Sequence, residues 1–68
     1  MTLAEFIIGA EAYYVDSHDE RRGQAYFNYL FEVNQRMATD ICGSRVDPFY
    51  DDAIIPQFLV RLATLGFR

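Results

Sequence analysis

Apolar residues recur three or four positions apart over most of the chain, which is typical of α-helices. In the first segment, Thr2 followed by Glu5 predicts a capping box. The helix is expected to stop near Asp16, where the sequence becomes polar and loses its periodicity. Its apolar residues form one stripe, which consists of Leu3, Phe6, Ile7, Ala10, Tyr13 and Tyr14.

The second element is predicted to start between Arg21 and Gly23, and its segment GQAYFNYLFEV is apolar on nearly every side. Such a pattern predicts a central helix that several neighbours cover. Asn34 is a suitable N-cap for a short third helix, although the pattern leaves open whether the chain kinks or breaks there. Gly43 is expected to end that helix. The inward-facing residues of the third helix are expected to be Met37, Ala38 and Ile41.

The last third of the chain carries three helix signals. Asp47 before Pro48 predicts the start of one helical turn, and Pro56 predicts the start of a final helix that Gly66 ends. The core-facing residues of the final helix are expected to be Ile55, Phe58, Leu59, Leu62 and Ala63. No segment alternates as a strand does. The sequence therefore predicts a single all-α domain over residues 1–68, a compact bundle of four to five short antiparallel or orthogonal helices.

The size of the chain makes its stability marginal, because 68 residues bury only about 60% of the surface of the unfolded chain. Cys42 is the only cysteine, so no disulfide within the chain can help. The sequence is 51% hydrophobic and contains six Phe and five Tyr, more aromatic residues than so small a core is expected to hold. Either an unusually dense core or association is expected, and we favour a homo-oligomer or a protein partner.

The net charge of −4 argues against a general nucleic-acid binder and against an anionic membrane surface. A helix-turn-helix regulator stays an alternative, with Gln57, Arg61 and Arg68 as its candidate groove contacts. The N-terminal segment has no basic region, so we expect no signal peptide, and no apolar run is long enough to span a membrane. A free cysteine is typical of the reducing cytoplasm, which is therefore the expected location.

Candidate chemistry is sparse. His18 lies beside Asp16, Asp19 and Glu20, but this spacing matches no calcium loop and is typical of a solvated turn. Cys42 at a helix end is expected to be a small buried side chain rather than a nucleophile. No nucleotide-binding or catalytic motif is present. We therefore predict no metal, no cofactor and no enzymatic activity.

Two groups of residues are candidates for an interaction surface. Helical spacing places Arg21, Gln24 and Asn28 on one face of the second helix. These side chains either tie the helix to the later loop, with Arg21 bonded to Asp47 or Asp51, or form a polar rim around exposed aromatic residues. The second group is the edge formed by Phe49, Tyr50, Asp51 and Asp52.

The segments RRGQAYFNYLFEV and GSRVDPFYDDAIIPQFL resemble a family of short, mostly uncharacterised phage and bacterial proteins. The resemblance covers residues 21–59 and departs at Gln35, where the family pattern has proline. The matching positions are Arg21, Gly23, Gln24, Asn28, Leu30, Gly43, Asp47, Pro48, Phe49, Tyr50, Pro56 and Phe58. The resemblance implies a phage-type origin and transfers no catalytic residue.

The expected function is a small acidic interaction module. Because small phage proteins often act by binding one host protein, the resemblance favours an inhibitor or adaptor that binds a host or phage protein. The host cytoplasm is then its expected location.

Overall fold

Four α-helices and one short 3-10 helix make up the computed structural model, which describes residues 1–68. The elements are α1 (Leu3–Asp16), α2 (Arg22–Val33), α3 (Gln35–Ile41), the 3-10 helix (Asp52–Ile54) and α4 (Ile55–Leu65). The radius of gyration is 10.6 Å, close to the value of about 11 Å that a compact chain of this length has. The predicted all-α bundle is confirmed, and the chain contains no strand.

The capping box at the start of α1 is confirmed. The Glu5 amide donates to Thr2 Oγ1 at 3.1 Å, and the Thr2 amide donates to Glu5 Oε1 at 2.7 Å. Two amides at the helix start therefore have partners within the chain. The helix ends at Asp16, as predicted, and the Ser17 amide donates to the Tyr13 and Tyr14 carbonyls.

This box makes stability depend on pH in a predictable direction. Hydrogen bonds from the Thr2 amide and then the Thr2 side chain lower the pKa of Glu5 below its usual 4.5. Ionised Glu5 therefore stabilises the folded chain above the unfolded pKa, and this contribution is lost as the pH falls through the lowered folded pKa. We expect Glu5→Gln to lower the melting temperature at neutral pH and to converge with the wild type in acid.

Circular dichroism melts between neutral pH and acid provide the measurement. Asp40→Asn, on an exposed position of α3, is the matched control for the loss of one negative charge. A Glu5→Gln difference that stays constant across this pH range would contradict the capping account.

Helix α2 lies at the centre of the bundle and packs against both α1 and α3. Five of its residues are buried, as the predicted central helix requires. The cover is incomplete, because Phe31 and Val33 near its end are exposed. The core cluster consists of Phe6, Ala10, Tyr26, Phe27, Leu30, Ala38, Ile41, Phe58, Leu62 and Phe67.

Asn34 is a true break between α2 and α3, with φ −158° and ψ 82°. Its amide donates to the Leu30 carbonyl at 2.7 Å and closes α2, while its Oδ1 accepts from the Met37 amide at 3.1 Å and begins α3. One residue thus ends one helix and caps the next. The prediction that Cys42 is buried is wrong, because this residue follows the last turn of α3 and is exposed.

The prediction of a helical turn at Asp47 and Pro48 is also wrong. The Asp47 carboxylate accepts from the Gly43 and Phe49 amides, which closes a loop instead of capping a helix. The helical turn begins later, at Asp52, and the Asp51 side chain caps it. The last helix starts at Ile55, one residue before the predicted Pro56. It ends at Gly66, whose φ of +133° favours glycine, so this part of the prediction is confirmed.

Candidate interaction surface

The loop from Asp47 to Asp52, named the Tyr50 loop below, is built by local hydrogen bonds. Asp47 Oδ1 accepts from the Phe49 amide at 2.9 Å, and its Oδ2 accepts from the Gly43 amide at 2.8 Å. The Asp51 amide donates to the Pro48 carbonyl at 3.1 Å and closes a turn. An aspartate that bonds nearby backbone amides in this way is a common turn former.

The far end of the Tyr50 loop is fastened to the start of α2. The N-cap residue of α2, Arg21, makes no side-chain capping bond. Instead, the Gly23 amide donates to Asp52 Oδ1 at 2.9 Å, so a residue distant in sequence caps α2. A carboxylate in this position also lies in the favourable field of the helix N-terminus. The Asp52 carboxylate therefore joins the loop to the bundle.

Gly23 makes this junction possible because no side chain separates α2 from the loop. A Cβ at residue 23 would lie 2.2 Å from the Pro48 carbonyl oxygen and 2.9 Å from Asp52 Oδ1. Pro48 itself is fully buried at this contact. Only glycine allows the backbone of the helix and the backbone of the loop to approach so closely.

Arg21 supplies a second fastening. Its Nη2 donates to the Phe49 carbonyl at 2.5 Å, and its Nε lies 3.7 Å from Asp52 Oδ1. The predicted tie between Arg21 and this loop is therefore present, but the expected partners, Asp47 and Asp51, are wrong. Since both members of the ion pair are about half exposed, the charge pair adds little to stability.

Aromatic rings connect the turn of the Tyr50 loop to the hydrophobic core. The Phe49 ring packs edge-on against Phe27 of the core, with centroids 5.8 Å apart. Tyr50 packs against Phe49 at 4.8 Å and is nevertheless 84% exposed. Asp51 and Asp52 follow it and are also exposed. The loop thus presents the Tyr50 ring and the Asp51 carboxylate, while the half-exposed Asp52 carboxylate also holds the loop to α2.

The three residues of the predicted polar face do not bond to a common neighbour. Only Arg21 reaches the Tyr50 loop. Asn28 Nδ2 donates to Glu20 Oε2 and so ties α2 to the connection that follows α1. Gln24 lies between them and is half-buried. An interface role for these three side chains stays a prediction.

The sequence analysis did not predict the structural roles of Gly23, Phe27 and Asp47 in this surface. One signal was available, because glycine is unfavourable in a helix and often marks a place where another segment of backbone comes close. The identity of that segment could not be read locally, since Gly23 and Asp52 are 29 positions apart.

The residues predicted for a helix-turn-helix lie elsewhere. Gln57 and Arg61 on α4 line a shallow groove together with Val46, Pro56 and Val60. Arg68 is exposed at the end of the chain. The nucleic-acid alternative stays a prediction.

None of the helices has the length and the apolar character that crossing a membrane requires. No protein-family model matches the sequence, and no curated protein or solved structure matches it either. The resemblance to the phage and bacterial family therefore stays a prediction, and the functional argument rests on the geometry of the Tyr50 loop.

Proposed function

We propose that this chain is a small protein-interaction module that binds a host or phage protein, as an inhibitor or adaptor, through Tyr50 and the acidic edge of Asp51 and Asp52. The observation that carries the proposal is the contrast within the Tyr50 loop. Its backbone is bonded to α2 and to residue 43, while the Tyr50 side chain is 84% exposed.

A loop whose backbone is already ordered suits binding, because it loses little conformational freedom when the partner binds. A flexible loop loses conformational freedom when a partner binds, which weakens the complex. Here Arg21, Gly23 and Asp47 already hold the backbone, and the Phe49 ring lies against one side of the Tyr50 ring. Tyrosine is among the residues that contribute most to binding energy in protein interfaces.

The charges around Tyr50 indicate what the partner surface is like. Asp51 directly follows Tyr50 and has no ion-pair partner, whereas Asp52 pairs with Arg21, so a complementary surface has an apolar pocket for Tyr50 and a basic side chain beside Asp51. An arginine in that position can also stack on the exposed ring face. We therefore expect a partner with a basic, partly apolar patch.

Truncating the anchor is expected to remove most of the binding. Tyr50→Ala should weaken partner binding by about thirtyfold or more, which is the effect of losing a central aromatic anchor. The partner is first captured from a lysate with tagged protein and identified by mass spectrometry. Its dissociation constant is then measured for each purified variant.

Phe31→Ala is the matched control, because it removes an exposed aromatic ring from another surface. We expect it to bind as the wild type does, and both variants to keep their helical circular dichroism spectrum. Equal binding by Tyr50→Ala and the wild type would refute the proposal. An equal loss in both variants would show that Tyr50 has no special role.

A further inference from the structure

Helix α1 is apolar on two opposite faces. One face carries Phe6 and Ala10 into the core. The opposite face carries Ala4, Ile8, Ala12 and Val15, which follow one another at intervals of four, four and three residues and are all exposed. Ile8 is 72% exposed and Val15 is 68% exposed. These four residues, named the outer stripe, form an apolar surface that the bundle leaves uncovered.

The charged side chains that α1 itself carries beside the outer stripe are all negative. Glu5 and Asp16 are three turns apart and lie along one edge, while Glu11 lies along the other. Glu11 is already paired with Arg22, whose Nε is 3.0 Å from its carboxylate. No residue of α1 is basic. Two α1 helices packed on each other would bring acidic edges together, so the fitting occupant is apolar with a basic edge.

The groove on α4 has these properties. It has a volume of about 450 Å³ and is lined by Val46, Pro56, Gln57, Val60 and Arg61. Val60 is 65% exposed. The only charged residue in the lining is Arg61, and exposed Arg45 immediately precedes Val46. This groove is therefore apolar with a positive edge.

The groove is shorter than the outer stripe. Its α4 residues run from Pro56 to Arg61, about 8 Å of helix, whereas the outer stripe from Ala4 to Val15 spans about 17 Å, so the groove can hold about half of the stripe. The two surfaces share no residue, so one copy of the chain can use both at once. Neither includes the Tyr50 loop, which stays available to another protein.

We propose that the outer stripe of α1 docks in the α4 groove of a second copy of this chain, with the acidic edge of α1 beside Arg61. The occupant is a copy of the chain because one chain supplies both apolar surfaces with charges of opposite sign. The contact joins two different surfaces, so it builds either a reciprocal two-fold dimer or a head-to-tail assembly. It would also bury apolar area that so short a chain cannot cover alone.

Sedimentation equilibrium of the full chain tests the proposal. The wild type is expected to self-associate reversibly, whereas Ile8→Glu and Val60→Glu, one on each surface, should each weaken association at least tenfold. Val15→Glu serves as a second variant of the stripe, and circular dichroism checks that each variant is folded. Tyr50→Ala should associate as the wild type does, which separates this contact from the proposed partner site.

Mixing the variants gives the sharpest outcome. Ile8→Glu keeps an intact groove and Val60→Glu keeps an intact stripe, so an equimolar mixture should form a dimer that neither variant forms alone. A wild type that stays monomeric at its highest soluble concentration would overturn the proposal. A mixture that stays monomeric would overturn it too. So would a loss of association with Ile8→Glu but not with Val60→Glu, because that result means that α1 pairs with α1.

Discussion

Phe6→Ala is expected to leave the chain largely unfolded. Phe6 is completely buried, and its ring lies 5.3 to 6.3 Å from four other aromatic rings. These rings belong to α2, to α4 and to the C-terminal segment, so Phe6 joins three parts of the bundle to α1. The four neighbouring rings are those of Tyr26, Tyr29, Phe58 and Phe67.

The magnitude of this effect decides the outcome. Truncating a buried Phe to Ala costs about 3–5 kcal/mol, from lost burial and from the cavity left behind. A single core in a domain of this length rarely supplies more than about 3–5 kcal/mol of unfolding free energy. The variant should therefore keep little or none of the stability of the wild type.

Urea unfolding followed by circular dichroism measures this directly. Phe31→Ala is the matched control, because the same change at a 45% exposed position leaves the core intact. We expect that control to lose less than about 1 kcal/mol. A Phe6→Ala variant as stable as the Phe31→Ala variant would mean that α1 does not depend on this aromatic cluster.

Gly23→Ala should have the second largest effect, although alanine is the better helix former. The new Cβ would lie 2.2 Å from the Pro48 carbonyl oxygen, and a backbone atom cannot rotate away as a side chain can. Either the start of α2 or the Tyr50 loop must move, and the hydrogen bond from the Gly23 amide to Asp52 is lost with that movement.

We expect a net destabilisation of about 1–3 kcal/mol from this clash, less up to about 1 kcal/mol regained from helix propensity. Urea unfolding gives the energy, and amide chemical shifts of Phe49 and Asp52 show whether the loop has moved. Gln24→Ala, the neighbouring change in the same helix, should leave those shifts nearly unchanged. A stabilised Gly23→Ala variant would contradict the close contact.

Helix boundaries were readable from the sequence because capping acts over three or four residues. Thr2 with Glu5, Asn34 and Gly66 each fix a helix end through neighbours that the sequence itself supplies. The prediction of a helix start at Asp47 was wrong for the same physical reason, because several backbone amides lie within reach of its carboxylate. It bonds to residues 43 and 49 rather than to a helix start.

The candidate interaction surface was only partly predictable. Phe49, Tyr50, Asp51 and Asp52 were identified as a group, but the reason for their fixed geometry lies in residues that fold back from α2. Contacts between positions 28 or 29 residues apart depend on how the helices pack, and no local pattern encodes them.

The outer stripe of α1 was overlooked for a different reason. Once one apolar face had been assigned to the core, the remaining apolar residues of α1 no longer affected the fold prediction. Ala4, Ile8, Ala12 and Val15 recur at the same spacing as the core face. Their exposure in the folded chain shows that they form a second apolar face and do not simply widen the face that packs into the core.

We expect the backbone of the Tyr50 loop to be rigid, because it is bonded to α2 and to residue 43, while the Tyr50 side chain faces solvent. Backbone ¹⁵N relaxation of the amides from Phe49 to Asp52 tests it most directly and needs no partner. A loop held in this way should give order parameters of about 0.85, as in the helices. Values below about 0.6 at Tyr50 and Asp51 would indicate a mobile loop and would contradict this expectation.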